Sequence, residues 1–330
     1  MLIGRASSPM LLPLQNDLVN LISSPLVTRH REPPRKTSHR RCASLRLRHL
    51  PSLPSEVQDL IIDACDSDFP TLAACSLVCK SWFPRSQTNL YREIHLTANT
   101  GQMWIELMNS PDCTFLDRIQ RICVIDGPFY QGSRPMGRRN WFGALLHDLP
   151  VTKMTAFNSL SAKSVLWTEY RSHWQGEYSV ELLAILKRLR TLNLEDWEFD
   201  GHFSVLMRLI SHATSLEKLQ LTGIYCDGAD DPEVFARFNS NPMTAPPASL
   251  SVLEIYEHVD KVPFLEWFTS RPSMPSIRTV IFHGVTRQEC STVSGFLRQL
   301  GSVLQHLTFG YSMSPGGNIS LLISRYPLTT

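Results

Sequence analysis

Apolar residues return at regular intervals through the C-terminal two thirds of the chain. The segments LRTLNL, LEKLQL, LSVLEI, IRTVIF and LQHLTF begin at Leu189, Leu216, Leu250, Ile277 and Leu304, separated by 27, 34, 27 and 27 residues. Each is apolar at its first, fourth and sixth positions: Leu189, Leu192 and Leu194; Leu216, Leu219 and Leu221; Leu250, Leu253 and Ile255; Ile277, Val280 and Phe282; Leu304, Leu307 and Phe309. Positions four and six share one face of a strand. Apolar segments such as FSVLMRLISH and VSGFLRQLGS follow, so the unit is a short strand and then a helix. The odd interval contains NSNPMTAPPAS, whose prolines predict a loop. Two weaker units precede these: IQRICV fits through Ile119, Ile122 and Val124, and VTKMTA from Val151 fits poorly.

Residues 53–96 carry a different period. Pro54 suits a first helical position and Glu56 favours the positive end of the helix dipole. Val57, Leu60, Ile61, Ala64 and Cys65 then recur at helical spacing and form one apolar stripe, with Asp59 and Asp63 off it. The run DSDFP ends this helix, and Leu72, Cys75, Ser76 and Cys79 make a second face. Val78 and Trp82 extend the apolar surface. Pro84 restarts the chain into a third helix that runs through Leu90 and Tyr91 towards the extended ending EIHL. A unit of about 45 residues buries little core by itself, so apolar side chains left on its surface call for a partner.

Leu53, Pro54, Glu56, the Val78–Cys79 pair, Trp82 and Leu90–Tyr91 resemble the F-box motif, which reads LPxE, an apolar helix, VCxxW and LY. The form CSLVCKSWFPRSQTNLYREIHL looks most like fungal F-box proteins. The resemblance implies docking on a Skp-type adaptor, and through it on a cullin-RING ubiquitin ligase, while the rest of the chain binds a protein substrate. Leu53, Pro54, Val57, Ile61, Leu72, Val78, Cys79 and Trp82 are expected to form or support the docking face.

The periodic region resembles leucine-rich repeats. This implies a solenoid with parallel strands on one face and helices on the other, in which no unit closes its apolar face alone. One departure is plain: the Asn or Cys that normally follows the LxL core is replaced by Trp197 and Ile224 in the first two clear units. Odd-numbered strand positions point onto the concave sheet. They make a mixed, mildly acidic surface at Glu195 and Glu254, with Tyr256 as an aromatic anchor. Asn193, Glu195, Gln220, Glu254, Tyr256 and His283 are the expected substrate-binding residues.

Composition fits this division. Apolar residues make up 43% and charged residues 19%, globular values, and the 22 prolines favour many short elements. Residues 1–50 hold eight Arg and one Lys against Asp17 and Glu32, a net +7, which leaves −5 for the rest of a chain whose total is +2. Their basic run RHREPPRKTSHRRCASLRLRH has no apolar period and reads as a disordered, solvated tail with no nucleic-acid partner. An import signal at RKTSHRR is the functional alternative. No run of 18 apolar residues exists, so no membrane partner is expected, and the start lacks a secretion signal.

Cys65, Cys75 and Cys79 lie on apolar helical faces without a CxxC or CxxxH pair, so neither metal nor disulfides are expected. Reduced thiols suit a cytoplasmic or nuclear protein. No phosphate loop, HExxH helix or GxSxG elbow occurs, and His147–Asp148 and His173 lack a nucleophile at a recognisable spacing. The expectation is an α/β protein without catalysis or cofactor: a basic tail over 1–50, a three-helix F-box over 51–96 and a leucine-rich-repeat-like domain over 97–330. As substrate receptor of an SCF-type ligase it would deliver a protein target. A repeat scaffold that contacts the adaptor without delivering one is the alternative.

Overall fold

A computed structural model describes residues 53–66, 68–126, 148–165, 180–199, 203–226, 244–270 and 274–312. The basic tail, His147, His173, the first five residues of NSNPMTAPPAS and the terminal LISRYPLTT lie outside these residues. The chain divides into two compact units, residues 1–91 and 92–330. No helix among the described residues is long and apolar enough to cross a membrane.

The first unit holds three helices: α1 (Ser55–Asp63), α2 (Phe69–Val78) and α3 (Phe83–Arg92). Pro54, expected at the first helical position, stands instead at the N-cap of α1, one place before the first helical residue, Ser55. Asp68 caps α2, accepting from the Thr71 backbone N–H at 3.2 Å and its hydroxyl at 2.7 Å. Pro84 falls in the first turn of α3, where no intrahelical N–H is required of it. Ile62, Leu72 and Leu90 are the buried centre, with Cys65, Phe69, Ala73, Trp82 and Tyr91 packed around them.

The core takes from α1 a residue that the apolar stripe did not include. Its buried residue is Ile62, whereas Val57, Leu60 and Ile61, the apolar stripe, are exposed. The helix turns Ile62 inwards because Asp63 beside it is held by the third helix. Arg85 grips both Asp63 oxygens, Nε to Oδ1 at 2.7 Å and Nη2 to Oδ2 at 2.5 Å, and Asn89 Nδ2 donates to Oδ1 at 3.0 Å.

The second unit is built on an eight-stranded sheet in which every neighbouring pair is parallel and the spatial order is the sequence order. The strands are β1 (Glu93–Thr97), β2 (Arg121–Ile125), β3 (Ser159–Lys163), β4 (Thr191–Phe199), β5 (Lys218–Cys226), β6 (Val252–Ile255), β7 (Thr279–Val285) and β8 (His306–Tyr311). Helices α4 (Gly101–Asn109), α5 (Val180–Arg188), α6 (Phe203–His212), α7 (Lys261–Thr269) and α8 (Cys290–Leu300) lie in the crossovers. Crossovers of one hand between successive neighbours put helices on one face of the sheet. The α/β, solenoid-like architecture is therefore as expected.

The register explains the repeat. One inward row runs Ile94, Ile122, Leu160, Leu192, Leu219, Leu253, Val280 and Leu307, and the next runs Leu96, Val124, Ala162, Leu194, Leu221, Ile255, Phe282 and Phe309. All but the β8 pair are buried, and Leu307 and Phe309 are half-buried. Position one is buried as well, at Ile119, Phe157, Leu189, Leu216, Leu250, Ile277 and Leu304. On the helical side Phe296 of α8 meets Phe282 at 6.1 Å and Phe268 of α7 at 5.9 Å between ring centroids.

Two details depart from the sequence reading. VTKMTA forms a single 3-10 turn, Val151–Lys153, and the strand of that unit is Ser159–Lys163, with Phe157, Leu160 and Ala162 at positions one, four and six. EIHL belongs to β1, the first strand of the sheet. The template also gains two positions. At position eight the backbone is left-handed in Ser164, Asp196, Gly223 and Gly284, just past β3 but within β4, β5 and β7, and the next residue, Val165, Trp197, Ile224 or Val285, is buried. Gly223 suits its place through its backbone: φ is +60°, and a Cβ would also stand 2.5 Å from Asp196 Oδ1 on the neighbouring strand, a carboxylate that would have to move aside.

Candidate functional surfaces

Among the described residues, nine large apolar side chains are exposed, and seven of them crowd into residues 53–83: Leu53, Val57, Leu60, Ile61, Leu77, Val78 and Phe83. Leu60 is 68% exposed, Val78 62% and Leu77 85%, so these are open side chains and not rim atoms of a core. Monomeric surfaces scatter such residues singly, and this short stretch holds most of those among the described residues.

A chain of hydrogen bonds ties the start of α1 to the turn after α2. Cys79 Sγ lies 3.1 Å from Ser81 Oγ, Ser81 Oγ donates to Gln58 Oε1 at 3.0 Å, and Gln58 Nε2 donates to the Leu53 carbonyl at 2.6 Å. The Leu53–Pro54 and Val78–Cys79 segments, 25 residues apart in sequence, are thus joined through Gln58. The Ser81 hydroxyl, helped by backbone N–H groups of Trp82 and Ser81, lowers the Cys79 thiol below its ordinary range.

Of the residues expected on a docking face, Leu53, Pro54, Val57, Ile61, Val78 and Cys79 are exposed. Trp82 is half-buried against the core, which makes it a support. Leu72 has no exposed surface at all and belongs to the core, because α2 turns Leu72 and Cys75 inwards as it packs. Leu60, Leu77 and Phe83 are open apolar residues that the expected set omitted. The helical stripe had already signalled Leu60, while nothing in the pattern separated Leu77 from a core leucine.

On the second unit, odd strand positions line the sheet face opposite the inward rows. One row runs His95, Cys123, Ser161, Asn193, Gln220, Glu254, Ile281 and Thr308 across all eight strands. The expected acidity is absent because each acid has a lysine on the neighbouring strand. Lys163 pairs with Glu195, and Lys218 Nζ lies 2.6 Å from Glu254 Oε1. Glu254 is buried, and Tyr256 donates its hydroxyl to Glu254 Oε2 at 3.4 Å.

Tyr256 stacks on His283 with centroids 5.1 Å apart and planes 3° from parallel. Burial first, and then the Glu254 charge, raise the Tyr256 phenol above its usual range. Asn193 Nδ2 donates to Ser161 Oγ at 3.2 Å, while its buried Oδ1 has no partner. Gln220 holds the register place between Asn193 and Glu254. The six expected residues therefore lie on four strands, β4 to β7, with Tyr256 just after β6, but they present a neutral, partly stacked surface.

One cluster escaped the sequence reading. Glu93 Oε1 accepts from His95 Nε2 at 3.1 Å and from Cys123 Sγ at 3.2 Å, while Arg121 Nη1 lies 3.0 Å from Glu93 Oε2. The His95 hydrogen bond, with those of Cys123 and the Arg121 charge, holds the Glu93 carboxyl at about 2 against the opposing effect of burial. Burial, and then the Glu93 charge, push the Cys123 thiol up to about 12. Among the described residues, Glu93, His95 and Cys123 are the group whose donor atoms converge closely enough to hold a metal ion.

No family model matches this chain, and no curated protein matches it significantly.

Proposed function

We propose that this chain is a substrate receptor of an SCF-type ubiquitin ligase, docking through residues 53–83 on a Skp-type adaptor and binding a protein target through the odd-position face of the sheet. The observation that carries the reading is that a sequence pattern and a set of exposed side chains fall on the same segment. The residues that resemble an F-box, Leu53, Pro54, Val78 and Cys79, stand on the surface where seven open apolar side chains gather. A core would bury those side chains, whereas a docking face must leave them open until its partner arrives.

The energetics suit this role. Fully covering a large aliphatic side chain is worth about 1.5–3 kcal/mol, so cover of this group would offset the cost of association. The anchors are the most exposed, Leu60, Leu77 and Val78, with Trp82 holding the α2–α3 turn beneath them. The sheet face, whose charges are already paired, would select its target by shape and hydrogen bonding more than by net charge.

The test is a pull-down of recombinant adaptor–cullin complex by the full-length chain and by the Leu53→Ala, Pro54→Ala double variant. Binding lost with the sheet unit still folded supports docking through this face; undiminished binding removes it. Bound partners that gain ubiquitin in a Trp82-dependent manner support delivery of a target, and partners that never do leave a scaffold instead.

A further inference from the structure

We propose that Glu93, His95 and Cys123 form a zinc site at the β1–β2 edge of the sheet. This goes beyond adaptor docking and does not depend on it. The three residues share one face for a simple reason. Glu93 and His95 are two apart on β1, so their side chains point the same way, and the parallel register sets Cys123 of β2 directly opposite His95.

The geometry is close to what the ion requires. Zinc holds oxygen and nitrogen at about 2.0–2.2 Å and thiolate sulfur at about 2.3 Å in a tetrahedron, which places ligand atoms about 3.3–3.7 Å from one another. Here His95 Nε2 and Cys123 Sγ stand 3.1 and 3.2 Å from Glu93 Oε1, and all three donor atoms lie within 4.8 Å. Small side-chain movements open the centre. No strand has to shift.

The donor set selects the metal. One carboxylate oxygen, one imidazole nitrogen and one sulfur suit a borderline-soft divalent ion and are a poor cage for calcium or magnesium, which take oxygen ligands. Arg121 occupies the other Glu93 oxygen, Oε2, and so fixes the carboxylate with Oε1 turned to the site. On binding, the Cys123 proton passes to solvent and the sulfur joins the metal as thiolate, while the imidazole binds through the nitrogen that faces Glu93. Thiolate and carboxylate then balance the two positive charges. Three protein ligands leave a fourth position for water or a partner side chain on the half-buried sheet face, an arrangement that in zinc proteins marks an open site and not a closed structural one.

The experiment uses the full-length chain with its thiols reduced, titrated with cobalt(II) as a coloured stand-in and then with zinc as competitor. The expected result is one cobalt per chain with a thiolate-to-cobalt charge-transfer band that zinc removes. Cys123→Ser abolishes the band, His95→Ala weakens binding by at least about tenfold, and Cys290→Ser leaves both unchanged. Absence of the band in the wild-type chain, or its survival in Cys123→Ser, overturns the site and leaves a hydrogen-bonded cluster only. Should Cys123→Ser fail to fold, alkylation of wild-type Cys123 decides the matter. Zinc slowing it at least about tenfold supports the site, and an unchanged rate overturns it.

Discussion

Trp197 donates its indole N–H to the carbonyl of Ala162 at 2.8 Å, across 35 residues of sequence and from a side chain only 2% exposed. Trp197 stands just after the left-handed residue that ends the straight part of β4, where the repeat pattern asks for a small hydrogen-bonding side chain. The indole thus supplies a donor to the neighbouring unit from the place where an asparagine would otherwise be expected. It also fills the space behind the turn.

Those two contributions can be separated. Trp197→Phe keeps most of the ring and loses the donor, so a cost of about 1 kcal/mol is expected. Trp197→Ala also opens a cavity between β3 and β4, for about 3–5 kcal/mol. Denaturant unfolding of the two variants measures both: a Trp197→Phe chain as stable as wild type would show that the hydrogen bond contributes nothing, and equal costs would show that the cavity does not.

The first unit offers a contrast between leucines of opposite exposure. Leu72→Ala removes the centre of its small core and should cost about 2–5 kcal/mol. Leu60→Ser and Leu77→Ser should stay within about 0.5 kcal/mol of wild type while weakening adaptor binding, because nothing in the unit covers them. Hydrogen exchange over residues 55–92, read beside the pull-down, distinguishes core from surface. Fast exchange in Leu60→Ser would place that side chain in the fold and not on a docking face.

What the sequence revealed, and what it hid, follows from the same geometry. Inward positions must be apolar whatever their neighbours, so Leu192, Leu219, Leu253 and Val280 announced their strands one by one. β3 did not, because Ala162 is small and Ser159 and Ser161 dilute the pattern, although Phe157 and Leu160 were there to be read. Helix α1 carries apolar residues on two faces, and only the packing of α2 and α3 decides that Ile62 and not Leu60 turns inwards. Polar relationships were the least legible. Glu254 looked like an exposed acid until the register put Lys218 on the strand beside it, and Glu93, His95 and Cys123 converge only once β1 and β2 are paired. Metal motifs defined by short spacings overlook donors that meet across a ladder.

The Lys218–Glu254 pair should be unequal when cut. Glu254 is buried and keeps only the Tyr256 hydroxyl once Lys218 is removed, so Lys218→Met is expected to destabilise the sheet by about 1–3 kcal/mol. Adding Glu254→Gln should recover most of that loss, because the uncompensated charge is then gone. Thermal unfolding of the single and double variants checks it, and a double variant no better than the single would assign the cost to lost lysine packing.

Lys261, at the start of α7, is 1% exposed, with Nζ 3.2 Å from the Val259 carbonyl and 3.8 Å from Glu289 Oε1. Burial pushes its ammonium below the ordinary lysine range, against the pull of Glu289, Asp260 and Glu257. Between this lowered value and the unfolded value of about 10.4, the unfolded chain binds the extra proton, so stability rises with pH across that window and carries the full penalty below it. Lys261→Met should therefore leave stability at neutral pH unchanged or raise it by up to about 2 kcal/mol, and it should abolish the alkaline rise. Glu289 has other partners: Oε1 accepts the Lys261 backbone N–H at 3.0 Å, and Oε2 accepts the Thr286 N–H at 2.7 Å and hydroxyl at 2.9 Å. Glu289→Gln turns an amide N–H towards one of those donors and should cost about 1–3 kcal/mol, so the two partners of one ion pair respond in opposite directions. Denaturant unfolding of both variants at neutral and alkaline pH decides this. A Lys261→Met chain destabilised as much as Glu289→Gln would mean that the ion pair, and not the backbone hydrogen bonds, anchors the start of α7.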